Sequence, residues 1–277
     1  MNYGFSLPNF GAAWHPRLLA DLAYEAEQAG WDGVFLWDHI SFGVEMPMGD
    51  PWVALAAMAM RTERVKLGPM VTPLARRRPW KVARETVSLD HLTHGRLILG
   101  VGLGHPPSKD FSDFGDAADG KVRAEQLDEG LAILAGLWSG DPFRFVGKHY
   151  AIQETRFLPR PVQSPRIPIW VAGYWPHHAP LRRAARWDGL AFGGHWSGAP
   201  VTPADLQKVV TTVQSERPAD LPFDVMWGTA LADDPEARAA TIAAYGAAGV
   251  TWWVEGVDPW RDSVEVIHAQ IRRGPPR

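Results

Sequence analysis

Short apolar runs alternate with amphipathic stretches along most of the chain. Tyr3–Leu7 reads as a strand. Pro16–Gly30 then carries Leu18, Leu19, Leu22, Ala23 and Ala26 at helical spacing, with Gly30 as the stop. Gly33–Trp37 predicts a second strand. Asp50 caps a helix that opens on Pro51 and runs to Arg61. Val65–Val71 is the third strand, followed by a helix from Pro79 to Leu92 that His94-Gly95 ends. Arg96–Val101 is the fourth strand. It is apolar between its ends, as a strand covered on both faces should be.

The period is then lost. Gly102–Gly120 is rich in Gly, Pro, Ser and Asp. Lys121–Trp138 reads as a helix, Phe143–Ile152 as a hairpin around Gly147-Lys148, and prolines crowd Leu158–Pro168. Ser139–Arg166 is therefore an excursion and not a domain. The alternation resumes with strands over Ile167–Ala172, Gly189–Phe192, Phe223–Thr229 and Val250–Val254. Helices are expected over Pro176–Trp187, Pro203–Ser215, Pro235–Gly246 and Trp260–Ile271. Each parallel step needs a helical crossover. The pattern predicts an α/β fold: one TIM (β/α)8 barrel domain over residues 1–277, with an insertion after strand 4. An open doubly wound sheet is the alternative.

Composition narrows the function. With 46% hydrophobic and 21% charged residues the chain reads as an ordinary enzyme. A net charge of −3 argues against nucleic acid as a partner. No run of 18 apolar residues is present, so no membrane span is expected, and the first residues lack the charged and apolar regions of a signal peptide. The absence of cysteine excludes disulfides, thiolate nucleophiles and cysteine-based metal sites, and fits a cytoplasmic location. Fourteen tryptophans exceed what a core alone requires; most should be core, but large aromatics also line pockets for flat ligands.

Barrel enzymes carry their sites at the carboxyl ends of the strands. That rule selects Pro8, Asn9 and Phe10; Asp38 and His39; Met70, Val71 and Thr72; and Gly102, Leu103, Gly104 and His105. It also selects Gly173, Tyr174 and Trp175; Gly193, Gly194 and His195; then Thr229 and Glu255. His39 can move a proton near neutral pH. In an extended chain Asp38 points the other way, so the two do not form an obvious pair. Gly100-Val-Gly102-Leu-Gly104 has the wrong third spacing for a dinucleotide fingerprint; its glycines suit a backbone approaching a flat ligand. Gly173–Pro176 leads into a helix start, where phosphate binds well. Arg76-Arg77-Arg78 could meet an anion, but three loop arginines are more often solvated. His91 with His94, and His177 with His178, are discounted as metal ligands, and no metal is expected. No nucleophile elbow and no phosphate loop are present. A mouth rich in glycines and aromatics suits an organic cofactor.

These residues resemble the luciferase-like flavin-dependent oxidoreductases, the class of bacterial luciferase and the coenzyme F-420 (deazaflavin) dehydrogenases. The resemblance runs through Gly4–Pro8, Glu27–Gly33, Trp37-Asp38-His39, Leu67–Thr72, Leu89-Asp90 with Gly95-Arg96, Gly100–Gly104 and Pro168–Gly173. It implies that His39 is the active-site histidine, with Asp38 beside the ring. It implies a non-prolyl cis peptide at Met70–Val71 and a cofactor seat that includes Thr72, Gly102 and Gly104. It further implies a ribityl-phosphate loop at Ala172, Gly173, Tyr174 and Trp175, and a loop over the substrate after strand 4. Trp37, His105, Trp196 and Glu255 are the expected substrate contacts, and Trp37, Trp52, Trp175 and Trp196 would exclude water. His105 stands where the sugar-phosphate dehydrogenases of the class have glutamate. Leu103 stands where luciferase has a phosphate-binding arginine, with Arg76–Arg78 as candidate substitutes.

The resemblance implies a monooxygenase using reduced flavin mononucleotide (FMN) and oxygen on an apolar small-molecule substrate, with a separate flavin reductase as partner. A coenzyme F-420-dependent dehydrogenase or reductase is the alternative, and a non-catalytic flavin-binding protein the second. Apolar helix surface around Ala54–Met60 would suit a homodimer.

Overall fold

The computed structural model describes residues 1–277 except Val44, Pro106, Pro107, Ala230 and Asp233. Pro106 and Pro107 fall in the segment expected to cover the substrate and lie outside the described residues. The elements are β1 (Asn2–Leu7), α1 (Pro16–Gln28), β2 (Gly33–Leu36), α2 (Pro51–Arg61), β3 (Lys66–Pro69), β4 (Thr72–Pro73), α3 (Pro79–Leu92) and β5 (Leu99–Gly102). They continue with α4 (Gly120–Trp138), β6 (Phe143–Val146), β7 (Ala151–Thr155), β8 (Ile169–Trp175), α5 (His178–Ala184) and β9 (Gly189–His195). The chain ends with α6 (Pro203–Gln214), β10 (Asp224–Trp227), α7 (Pro235–Ala247), β11 (Trp252–Gly256) and α8 (Val264–Arg272).

One parallel sheet runs in the order β3-β2-β1-β11-β10-β9-β8-β5-β4. β4 continues β3 beyond the Met70–Val71 peptide, which is cis. The two ends of the sheet meet where Leu67 bridges Leu97, with Ile98 N donating to Leu67 O at 2.9 Å. Gly68 makes that approach possible, because a Cβ there would lie 1.8 Å from the Ile98 carbonyl oxygen. The expected α/β barrel is borne out, and the open sheet is not. The hairpin β6–β7 stands outside the barrel as the excursion after strand 4, with Glu129 of α4 accepting from the backbone of Lys148, His149 and Tyr150.

Strand alternation sorts the side chains into two cores. Odd positions such as Phe5, Val171 and Trp253 join α1–α8 in the outer core. Phe35, Ile98, Trp170, Ala191 and Trp252 fill the barrel interior.

Three local expectations need correction. Strand 3 is not continuous, since it divides at Met70–Val71. Ala172–Trp175 is strand, not a loop, and Trp175 pairs with His195. The helix predicted from Trp260 starts at Val264, where Ser263 accepts from Val266 N. Asp258 and Asp262 fold the intervening residues into a turn, Asp258 accepting from Trp260 N at 3.0 Å. Short acidic side chains offer the backbone such bonds in place of helix.

Candidate functional site

The inner core forms a floor. Trp170 and Trp252 meet edge to face at 5.4 Å between centroids, and Phe35 lies 5.6 Å from Trp170. Above it the inward positions turn small. Ser6 pairs in register with Gly256, and Ala172 with Ala191. A Cβ on Gly102 would come within 2.8 Å of Val71 and 3.1 Å of Ala172. The Met70–Val71 step therefore presses on the glycines of β5, Gly100 and Gly102. Small side chains thus line the barrel above an aromatic floor.

His39 stands at the end of β2 with its Nδ1 2.7 Å from Asp110 Oδ2. The Asp110 carboxyl is fully buried. Burial by itself would raise it, but bonds from His39, from the N–H groups of Ile40 and Ser41, and from the Ser108 hydroxyl outweigh that and hold it well below the usual carboxylate range. An ionised carboxylate can only accept, so Nδ1 of His39 is the donor and a neutral ring keeps its lone pair on Nε2. Asn9 fixes the backbone beside the ring, donating to His39 O at 2.7 Å and accepting from His39 N at 3.2 Å. His105 lies close by. Burial first, then the neighbouring His39, push its imidazole below the usual histidine range, with Asp110 opposing.

Asp38 faces away from the mouth. It accepts from Thr72 Oγ1 at 2.7 Å, from Trp52 Nε1 at 3.3 Å and from Arg77 at 3.0 Å, and it pairs with Arg76. Arg76 also reaches Asp110 Oδ1 at 3.2 Å. One guanidinium, only 4% exposed, thus bridges both buried carboxylates. This corrects the reading of Arg76 and Arg77 as solvated. Arg78 alone of the three is exposed.

The expected contacts divide by face. Trp37, Met70, Val71, Gly102 and Ala172 gather at the inner rim; Trp37 donates to Ser6 Oγ at 2.9 Å. Tyr174 also points inward, against Gly193, and burial raises its phenol. Gly104 sits against Phe111 and Pro73. Gly173 faces the helix layer, where a Cβ would meet Leu190, and Trp175 packs on the outer core. Neither side of those two residues faces the mouth. Glu255 is also misassigned: its partner in alternation, Val254, lines the interior, so Glu255 points out and pairs with Arg273 at 2.8 Å. It lines a separate cavity of about 430 Å³ with Thr229, Arg238 and Gln270. Trp196 is exposed and rests edge-on against Tyr174 at 5.6 Å. Among the described residues no cluster of metal-binding side chains occurs.

Asp110 and Arg123 escaped the sequence reading, and Arg76 was named there without this role. Asp110 lay in a stretch without period, and Arg76 in what looked like a solvated loop. Arg123, from the first turn of α4, donates to Leu103 O at 2.9 Å and lies over the Phe111 ring at 4.6 Å. Its Nε is buried without a partner. The guanidinium missing at position 103 arrives there from another element.

A family model described as luciferase-like monooxygenase matches residues 1–251. The F420-dependent glucose-6-phosphate dehydrogenase of Nakamurella multipartita is 35% identical over 190 residues, which are 66% of this chain and 52% of that enzyme. The enzyme of the same name from Microbacterium testaceum is 32% identical over 189 residues, 66% and 53% of the two chains. The chain spans about half the length of these curated relatives. Among solved structures, an F420-dependent secondary alcohol dehydrogenase superposes with a TM-score of 0.78 at 17% identity, covering 99% of this chain and 98% of that one. A monooxygenase from Streptomyces bottropensis gives 0.75 at 21% identity with the same coverage. At such identities the likeness is one of fold.

Proposed function

This chain belongs to the luciferase-like monooxygenase family, and on that footing we propose that it is a deazaflavin-dependent dehydrogenase in which His39 takes the proton. The observation that carries the reading is the buried Asp110 carboxylate on Nδ1 of His39. It leaves Nε2 free to accept the hydroxyl proton of an alcohol while the carbon loses a hydride. The curated relatives named for F420 at 32–35% identity support the cofactor class. When bound, the deazaflavin supplies the hydride acceptor. Gly102, Ala172, Val71 and Met70 would seat its ring, and the unpartnered Nε of Arg123 leaves a donor for an anionic group. A general base of this kind contributes roughly 100- to 10,000-fold.

The second reading is FMN with oxygen. The aromatic rings packed around His39 favour it, since they would keep water from a reactive centre. Titration of the purified protein with both cofactors separates the two. Saturable F420 binding with alcohol-dependent reduction is expected; binding of FMN alone, with substrate-dependent oxygen uptake, would reverse the assignment. His39→Ala should lose roughly 100- to 10,000-fold in turnover while cofactor affinity changes little. A flavin-binding protein without catalysis would have no turnover to lose.

A homodimer is proposed on α2. Ala54, Leu55, Met58 and Ala59 are buried core, which narrows the sequence expectation. The outward stripe is Val53, Ala56, Ala57 and Met60, at helical spacing beside a groove of about 400 Å³ shared with α3. Met60→Asp should convert a dimer to a monomer in light scattering; an unchanged mass would remove α2 from the interface.

A further inference from the structure

We propose that the substrate presented to His39 is a flat apolar alcohol or ketone, with an aromatic or fused ring, seated against Phe42 and Trp260, and not a phosphorylated sugar. The proposal rests on the oxidoreductase reading of this site and names its substrate class.

The surroundings of His39 are aromatic. The Phe42 ring lies 4.3 Å from the imidazole, centroid to centroid. Trp260 lies 5.6 Å from Phe42 and 5.7 Å from Phe10. Phe10 and Trp37 each stand 6.1 Å from His39. Phe10, Trp37, Phe42 and Trp260 belong to neither hydrophobic core. They form a third aromatic cluster centred on Phe10, and His39 touches three of its rings, Phe10, Trp37 and Phe42. Its outermost ring, Trp260, is 58% exposed. An indole left in water beside a half-covered phenyl ring offers edge and face to an incoming ring.

Recognition of a sugar needs several polar groups with capacity to spare, and those beside His39 are largely engaged. Asn9 uses Nδ2 on His39 O and Gly49 O, and Oδ1 on His39 N. The Ser6 hydroxyl accepts from Trp37, and Ser41 Oγ accepts from Gly43 N. Asp110 is filled by four donors and Arg76. The cations nearest it are already paired with carboxylates, Arg76 with Asp38 and Asp110 and Arg77 with Asp38, so a sugar phosphate would have to compete with them for its counter-charge. An apolar wall cannot reward hydroxyl groups, and burying them unpaired is unfavourable.

The test is calorimetric titration of the protein alone, with F420 and with FMN, using 1-indanone and glucose 6-phosphate as probes. Saturable indanone binding in at least one of the three states is expected, with no glucose 6-phosphate binding. Trp260→Ala should weaken indanone about 5- to 30-fold without moving the thermal midpoint, because the indole lies outside both cores. Phe42→Leu should give an intermediate loss. Glucose 6-phosphate binding, no indanone binding in any state, or unchanged affinity in Trp260→Ala would each overturn the proposal. Indanone binding that needs Trp260, with turnover only in the presence of FMN and oxygen, would leave this inference standing and defeat the dehydrogenase reading instead.

Discussion

Asp110→Asn should lower turnover roughly 100- to 1,000-fold while cofactor affinity and KM change little. The replacement is nearly isosteric, so the bonds from Ile40 N and Ser41 N to the Oδ1 position can persist. What changes is the partner of His39. A carboxylate only accepts, and it keeps the hydrogen on Nδ1. An amide can turn its N–H₂ toward Nδ1 and stabilise the other tautomer, with the hydrogen on Nε2. The lone pair needed for the substrate proton is then on the wrong nitrogen. Steady-state kinetics decides the point: a loss in kcat at constant KM is the signature of this role. A rise in KM with kcat intact would mean that Asp110 only shapes the pocket. Asp110→Glu should recover part of the rate, since it restores an acceptor at a displaced position.

Removal of Arg76 should have the largest effect on stability. Arg76 bridges Asp38 and Asp110, whose carboxyls are both fully buried. Arg77 still reaches Asp38, but no other salt bridge among the described residues reaches Asp110 besides that of His39. Leaving a buried charge uncompensated costs about 3–5 kcal/mol. For a domain of this size Arg76→Ala should therefore lower the thermal midpoint by roughly 10 °C. Arg76→Lys should lose less, because an ammonium keeps the charge but lacks the planar fork that spans two acceptors. In the Arg76→Ala background, Asp110→Asn should be less harmful to stability than in the parent protein, a coupling of about 1 kcal/mol or more. Additive effects would mean that the two side chains are energetically independent.

The same carboxylate sets an acid limit. The Asp110 carboxyl is held below its unfolded value, so it stabilises the fold above the ordinary carboxylate range, near pH 4, and that contribution drains away as pH falls further. Arg76→Ala lowers the stability from which this loss is subtracted, so acid unfolding should begin at higher pH in that variant.

Much of this protein was determined by its local sequence. The period-2 and period-3.6 patterns defined the alternation of strands and helices, and the count of eight units pointed to the barrel; the bridge between Leu67 and Leu97 excluded the open sheet. The resemblance carried by Leu67–Thr72 indicated the cis step at Met70–Val71, and the rule of strand ends led to His39. Other features depended on long-range packing. Asp110 is 71 residues from His39, in a stretch with no period, and only the folded chain brings the two within 2.7 Å. Arg76 lies in a run that reads as solvated until Asp38 and Asp110 close around it. Glu255 occupies a strand end but faces the helices, since one residue of phase along β11 decides between mouth and outer core. Trp260 reaches the mouth only because the turn made by Asp258 and Asp262 delays the last helix. Periodicity reports which face is covered; which distant charge meets which histidine is decided by the closing of the barrel.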